Sequence, residues 1–322
     1  MAVRKRPTGI DWEYFVEGWY ACDHLGKIAL ARSYDVSYDT AKHWVSENGA
    51  TKAPKVFPPV ELQEKPMGNS PLILRTVKAM TRAAVVGDFH HPFDDARLST
   101  LVEDFIVEQN PDILIFNGDL NDFYQVSVFD KDPRRLGDLQ KDLNKTKAMF
   151  AKYRKRLPNT RFIFIEGTHE HRWFKYLRQN APALANLDGT NITELYKLND
   201  YGVEFVPFEQ GLLVNGSFLI LHGDVVSKWS AMTAKRQFEK QGGSGIHNHT
   251  HRGGSFIHSN RFGEYGWYEN FCMCTLNPDW VANPDWHHGM SFVTFDNTNK
   301  FFVEQLPIVN YDFIYGGRLY SG

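Results

Sequence analysis

Three strongly apolar runs end in the same punctuation, and this constrains the fold more than any other feature. "RAAVVGDFH" (82–90) closes on Gly87-Asp88-Phe89-His90, and "DILIFNGDLND" (112–122) closes on Gly118-Asp119-Leu120-Asn121-Asp122. "FIFIEGTHEH" (162–171) closes on Gly167-Thr168-His169-Glu170. Short apolar runs that stop at glycine read as buried strands. Between them, "DARLSTLVEDFIVEQ" (95–109) and "LGDLQKDLNKTKAMFAKYRKRL" (136–157) have helical spacing. Strand–helix alternation predicts a parallel sheet with crossover helices. Ligands gather at the carboxyl ends of such strands, so Asp88, His90, Asp119 and His169 are predicted to converge.

The later half differs. "LLVNGSFLILHGD" (212–224) reads as a hairpin about an Asn-Gly turn and delivers His222; "GIHNHTHRGG" (245–254) follows. "MSFVTFDNTNKFFVEQLPI" (290–308) reads as another hairpin, which suggests two sheets face to face. One Gly-Asp pair is a turn, and one buried histidine is a satisfied core residue. Repeated delivery of Asp or His after apolar runs points instead to a shared site.

That ordered set, GDxH, GDxxD, GxHE, H and HTH over residues 87–251, resembles the calcineurin-like metallophosphoesterase family. The resemblance implies a four-layer αββα sandwich around two metal ions. It also implies that Asp88, His90 and His251 hold the first metal, His222 and His249 the second, and that Asp119 bridges them. His169 matches the residue that protonates the leaving oxygen, a role imidazole fills near pH 7. Asp122 and Glu170 are expected to orient these groups by hydrogen bonds.

Two positions depart from the family pattern. Thr168 stands where the family has an asparagine whose carbonyl ligates the second metal. A neutral hydroxyl on a shorter side chain is a weaker donor, which predicts a weaker second site. Asn248 stands where glycine is usual before His249, and is expected to alter only the turn.

Imidazoles mixed with carboxylates suit Mn²⁺, Fe, Zn²⁺ or Ni²⁺ better than Mg²⁺ or Ca²⁺, and Mn²⁺ is favoured here. Paired cations clamp phosphate oxygens and acidify a bound water, so the reaction class is phosphate-ester hydrolysis.

Two features favour DNA as the substrate. "KIALARSYDVSYDTAKHWVSENG" (27–49) reads as two short helices, with Ser37 as N-cap and Gly49 as stop, and resembles a helix-turn-helix. Tyr38, Lys42 and His43 are the candidate base or backbone contacts, with Arg4, Lys5 and Arg6 as a phosphate arm. Lys145 to Arg161 holds seven basic residues and no acid, although the solvated face of an amphipathic helix explains it better. The aromatics of "GEYGWYENF" and "NPDWVANPDWHHGM" read as core or interface packing, with base stacking as the alternative. Rival readings are a phosphomonoesterase for phosphoprotein or nucleotide, and a DNA-binding or scaffold protein disarmed at Thr168.

The domain boundaries follow from composition: a helical region 1–52, a proline-rich linker 53–78 and a metallophosphoesterase domain 79–322. A net charge of −2 excludes a generally basic nucleic-acid binder. Three cysteines form no even disulfide framework, and the basic start is interrupted by charge, which argues against a signal peptide. With no run long enough to cross a bilayer, the expectation is a cytoplasmic protein away from the membrane.

Overall fold

A computed structural model describes Trp19 and residues 24–33, 36–47, 70–76 and 78–322. The chain divides into two units, Met1–Pro59 and Val60–Gly322. In the first, helix α1 (His24–Ser33) and helix α2 (Tyr38–Glu47) form the expected pair. Ser37 caps α2, its hydroxyl oxygen accepting from the Thr40 amide at 3.2 Å. Ala31, Ala41 and Val45 are buried. Tyr38 corrects the expectation of a free contact residue: its ring stacks on Trp19 at 5.3 Å and meets the edge of His24 at 5.0 Å. Lys42 is exposed and His43 half-buried. Arg4, Lys5, Arg6, Cys22, Gly49 and residues 53–69 lie outside the described residues.

In the second unit, strands β2 (Met80–Val86), β3 (Ile113–Asn117), β4 (Arg161–Ile165) and β5 (Val203–Val206) run parallel. The antiparallel β11 (His288–Asp296) and β12 (Phe301–Ile308) extend the sheet beyond β2. The two-residue period of these strands sorts their side chains. Ala84, Val86, Leu114, Phe116, Phe162 and Phe164 face a helical layer that includes α3 (Ala96–Gln109) and α4 (Leu139–Arg156). Ala83, Val85, Ile113, Ile115, Ile163 and Ile165 face the other way, into a second core. Both faces being buried explains why these strands read as unbroken apolar runs.

The second sheet closes that core in the order β1 (Leu72–Leu74), β6 (Leu212–Val214), β7 (Phe218–Leu221), β8 (Ser244–His247), β10 (Gly263–Asn270) and β9 (Gly253–Asn260). The β6–β7 hairpin turns at Asn215-Gly216 as expected. Helix α6 (Met232–Gln241) covers the outer face, with Ala234 against Leu219 and Trp267. The αββα order of layers is therefore the predicted one. Strand β1 is a departure, because it lies inside the stretch read as linker. It pairs parallel with β6, burying Leu72 and Leu74 and exposing Ile73, an alternation of three residues that the surrounding prolines conceal.

The basic stretch along α4 is mostly engaged within the fold. Lys145 pairs with Asp94, Lys152 with Glu103 and Arg156 with both Glu103 and Asp104. Arg161 pairs with Glu204, while Arg154 lies 3.7 Å over Phe162 and donates to backbone carbonyls.

Candidate metal centre

The loops that follow the strands carry an unusual backbone. Asp88 (φ 54°), His90 (51°), Asp119 (51°), His249 (75°) and His251 (59°) are all left-handed. Non-glycine residues rarely adopt that region, and they hold it only where neighbours leave no alternative. Here the loops lock one another: the Asp88 amide donates to Gly118 O at 3.0 Å, and the His90 amide donates to Asp119 O at 2.9 Å. The motif glycines are needed for this approach. A Cβ at Gly118 would overlap the His222 ring, and one at Gly167 would overlap the Asp119 amide and carboxylate.

The result gathers the predicted aspartate and histidine ligands into two groups. The ligating atoms of Asp88, His90 and His251 lie within 4.8 Å of one another, as do those of Asp119, His222 and His249. His90 Nε2 and His251 Nε2 face each other at 2.9 Å. Asp119 Oδ2 stands between the groups, 3.0 Å from His222 Nε2 and 3.9 Å from His90 Nε2. Thr168 sits at the edge of the second group: its hydroxyl donates to Asp119 Oδ2 at 3.1 Å and lies 3.4 Å from His249 Nδ1.

Electrostatics test whether cations suit this arrangement. Asp88 Oδ1 is buried without a hydrogen-bond partner, an expensive condition unless something else binds there. Burial pushes the Asp88 carboxyl up to about 7. Burial, with His222 next, pulls His249 down to about 4, and burial also lowers His90 and His251. Neutral imidazoles keep a lone pair for a metal. Asp119 is the opposite case: burial opposes its charge, but His222 and His169 outweigh that and hold it well below the usual carboxylate range. His222 is its counterpart, where burial is outweighed chiefly by Asp119 and the value is held up at about 10. The residues fit a pair of divalent cations.

Residues 81–317 match the family model described as calcineurin-like phosphoesterase. The chain belongs to this family. Two phage proteins are similar along most of their length. The Gene 54 protein of Mycobacterium phage D29 is 28% identical over 256 residues, 74% of this chain and 98% of that protein. The Gene 54 protein of Mycobacterium phage L5 is 27% identical over the same shares. Among solved structures, zinc-complexed Vps29 from Entamoeba histolytica matches at 12% identity and TM-score 0.38, covering 74% of this chain and 95% of that one. Purple acid phosphatase PPD1 from yellow lupin matches at 13% identity and TM-score 0.36, covering 72% and 52%. Yfce, a phosphoesterase from E. coli, matches at 13% identity and TM-score 0.30, covering 71% and 100%.

In this member of the family, each ligand group has its own buried brace. Glu170, in the first turn of helix α5 (Thr168–Asn180), does not touch His169 as one might expect of a neighbour. Its carboxylate instead accepts from the amides of Asp119, Leu120, Asn121 and Gly167, at 2.7–3.1 Å, and from the Tyr196 hydroxyl at 2.9 Å. Asn248 corrects the reading of a residue that affects only a turn. Fully enclosed, it donates to Asp88 Oδ2 at 3.2 Å and accepts from Asn117 at 2.8 Å and Asn270 at 3.1 Å. Asp122 orients as expected, its carboxylate 2.9 Å from His169 Nδ1. His91 is buried against Asp94 at 2.8 Å, and Asp224 pairs with Lys240 at the surface.

A cleft of about 430 Å³ opens beside the centre, lined by His90, His169 and His251 on one side. Sequence reasoning missed the rest of its lining, which includes Arg135, Arg172, Trp280 and Trp286. The two tryptophans correct the packing reading of "NPDWVANPDWHHGM", while Trp267 of "GEYGWYENF" is core as expected. Arg172 lies one helical turn from His169, a spacing that could have revealed it; its guanidinium donates to His169 Nε2 at 2.7 Å. Cys272 and Cys274 are buried free thiols, with Cys274 Sγ 3.8 Å from His251 Nδ1.

Proposed function

We propose that this phosphoesterase is a two-metal phosphodiesterase acting on DNA. The observation that supports this reading is a single cleft lined by His169, by His90 and His251 of the first ligand group, and by Arg135 and Arg172. Asp88, His90 and His251 would hold one ion and His222 and His249 the other, with Asp119 shared. Manganese is the ion that best matches this nitrogen–oxygen set in a reducing cytoplasm. When bound, the ions neutralise phosphate oxygens and acidify an attacking water.

The chain's own residues supply the rest. Burial pulls the His169 imidazole down, but Asp119 and Asp122 outweigh it and leave it raised above the ordinary value. That direction favours the charged form, which a proton donor needs. The Asp122 carboxylate and carbonyl hold the Nδ1 proton, at 2.9 and 2.8 Å, which leaves Nε2, here accepting from Arg172, as the nitrogen that would pass a proton to the leaving oxygen. Arg172 already stands at that nitrogen, where it neutralises charge that grows on the leaving oxygen. Arg135, which pairs with no carboxylate within the described residues, supports a polyanionic substrate, as does exposed Lys42 in the N-terminal unit. The complete set of donors around Thr168 favours an active enzyme over a disarmed scaffold.

The test is nucleotide release from linear DNA with added Mn²⁺, repeated with EDTA and with His169→Ala. EDTA should abolish release, and the substitution should lower kcat about 10²–10⁴-fold without loss of bound metal. Intact DNA alongside hydrolysed aryl phosphate would favour the phosphomonoesterase reading instead.

A further inference from the structure

Part of the cleft's wall is built as a stack. The Arg135 guanidinium lies 3.8 Å over the Trp280 ring on one side and 4.2 Å over the Tyr124 ring on the other. Tyr124 is fixed in turn, its hydroxyl donating to Asp130 O at 2.6 Å and accepting from the Asp132 amide at 2.7 Å. Phe93 packs against Trp280 with ring centroids 4.5 Å apart. Arg135 is held here by rings and by no anion, and its Nε is buried without a hydrogen-bond partner. Phe129, which also lines the cleft, is 65% exposed, with Arg172 5.9 Å from its ring.

We propose that this wall is a subsite for one unpaired nucleobase and its phosphate, and that the enzyme acts on single-stranded rather than duplex DNA. The proposal rests on the DNA reading above and names the form of that substrate. Continuity carries the argument: one cleft holds both His169 and the Trp280–Arg135 stack, so a chain whose phosphate sits at His169 must run along this wall. The exposed Phe129 and Trp280 rings match the face of a base, and Arg135 matches the backbone charge beside it. In a duplex, both faces of each base are already covered by neighbours, and freeing one costs a few kcal/mol. A single strand presents the face directly.

Binding of a fluorescein-labelled oligothymidine is measured by anisotropy in EDTA, and its hydrolysis is measured with Mn²⁺, against a blunt duplex of equal length. The wild type should prefer the single strand. Trp280→Ala and, independently, the solvent-exposed Phe129→Ala should each raise Kd and KM for the single strand about tenfold, the size of one lost base–ring stack. Arg135→Gln should lower the slope of log Kd against log salt by about one phosphate. An abasic residue beside the cleaved bond should weaken the wild type about tenfold and Trp280→Ala hardly further. Equal use of duplex and single strand, or KM within twofold of wild type in both ring variants, overturns the subsite and leaves the DNA reading standing. No cleavage of any DNA by a protein that still hydrolyses aryl phosphate overturns both.

Discussion

The two ligand groups are made by the same device and finished differently. All their residues but His222 sit in left-handed turns that follow strands, and each group has a buried polar side chain behind it. The Asp88 group is braced by Asn248, which donates to the Asp88 carboxylate and ties it to Asn117 and Asn270. The Asp119 group is braced by Glu170, which fixes the backbone of residues 119–121 and never touches a ligand side chain. The completing donor also differs. His251 faces His90 directly at 2.9 Å, whereas Thr168 directs its hydroxyl to Asp119 and lies 3.4 Å from His249. A neutral hydroxyl is a weaker donor to a cation than an amide carbonyl, so the second site is expected to be the weaker one.

The largest effect should come from the second brace. Glu170→Ala would leave the amides of Asp119, Leu120, Asn121 and Gly167 buried without an acceptor, a loss of about 3 kcal/mol or more. Urea unfolding reads this directly; a loss below about 1 kcal/mol would show that water replaces the carboxylate and that the brace is dispensable. Removing the first brace is the narrower test. Asn248→Ala should weaken the tighter metal about 10–100-fold and spare the weaker one, as removal of a ligand's hydrogen-bond partner does elsewhere. Equal weakening of both, seen in a metal titration, would mean that the groups are not separately supported.

What could be read in advance divides along the same line. Asp88, His90, Asp119 and His169 were legible because they follow apolar runs whose ends topology brings together, whereas His222, His249 and His251 were placed as ligands by the family resemblance. The braces were less legible. Asn248 sits among turn-forming residues, and nothing in "GIHNHTHRGG" says that its amide is enclosed. Glu170 was visible as a helper, but its partners are backbone amides 49–51 residues away. Arg135 and Trp280 lie in irregular segments with no periodicity to place them on a face. Strand β1 was lost among prolines because three residues give too short an alternation. Local pattern reveals which residues end strands; it does not reveal what packs behind them.

The smallest expected change tests the central claim most directly. Mn²⁺ is titrated calorimetrically into metal-free protein and into Thr168→Asn. The account predicts two unequal binding events in the wild type, and a weaker event that tightens several-fold in the variant while the tighter one stays put, with turnover rising alongside. Two equal sites in the wild type, or a weaker event that does not move with Thr168→Asn, would contradict it.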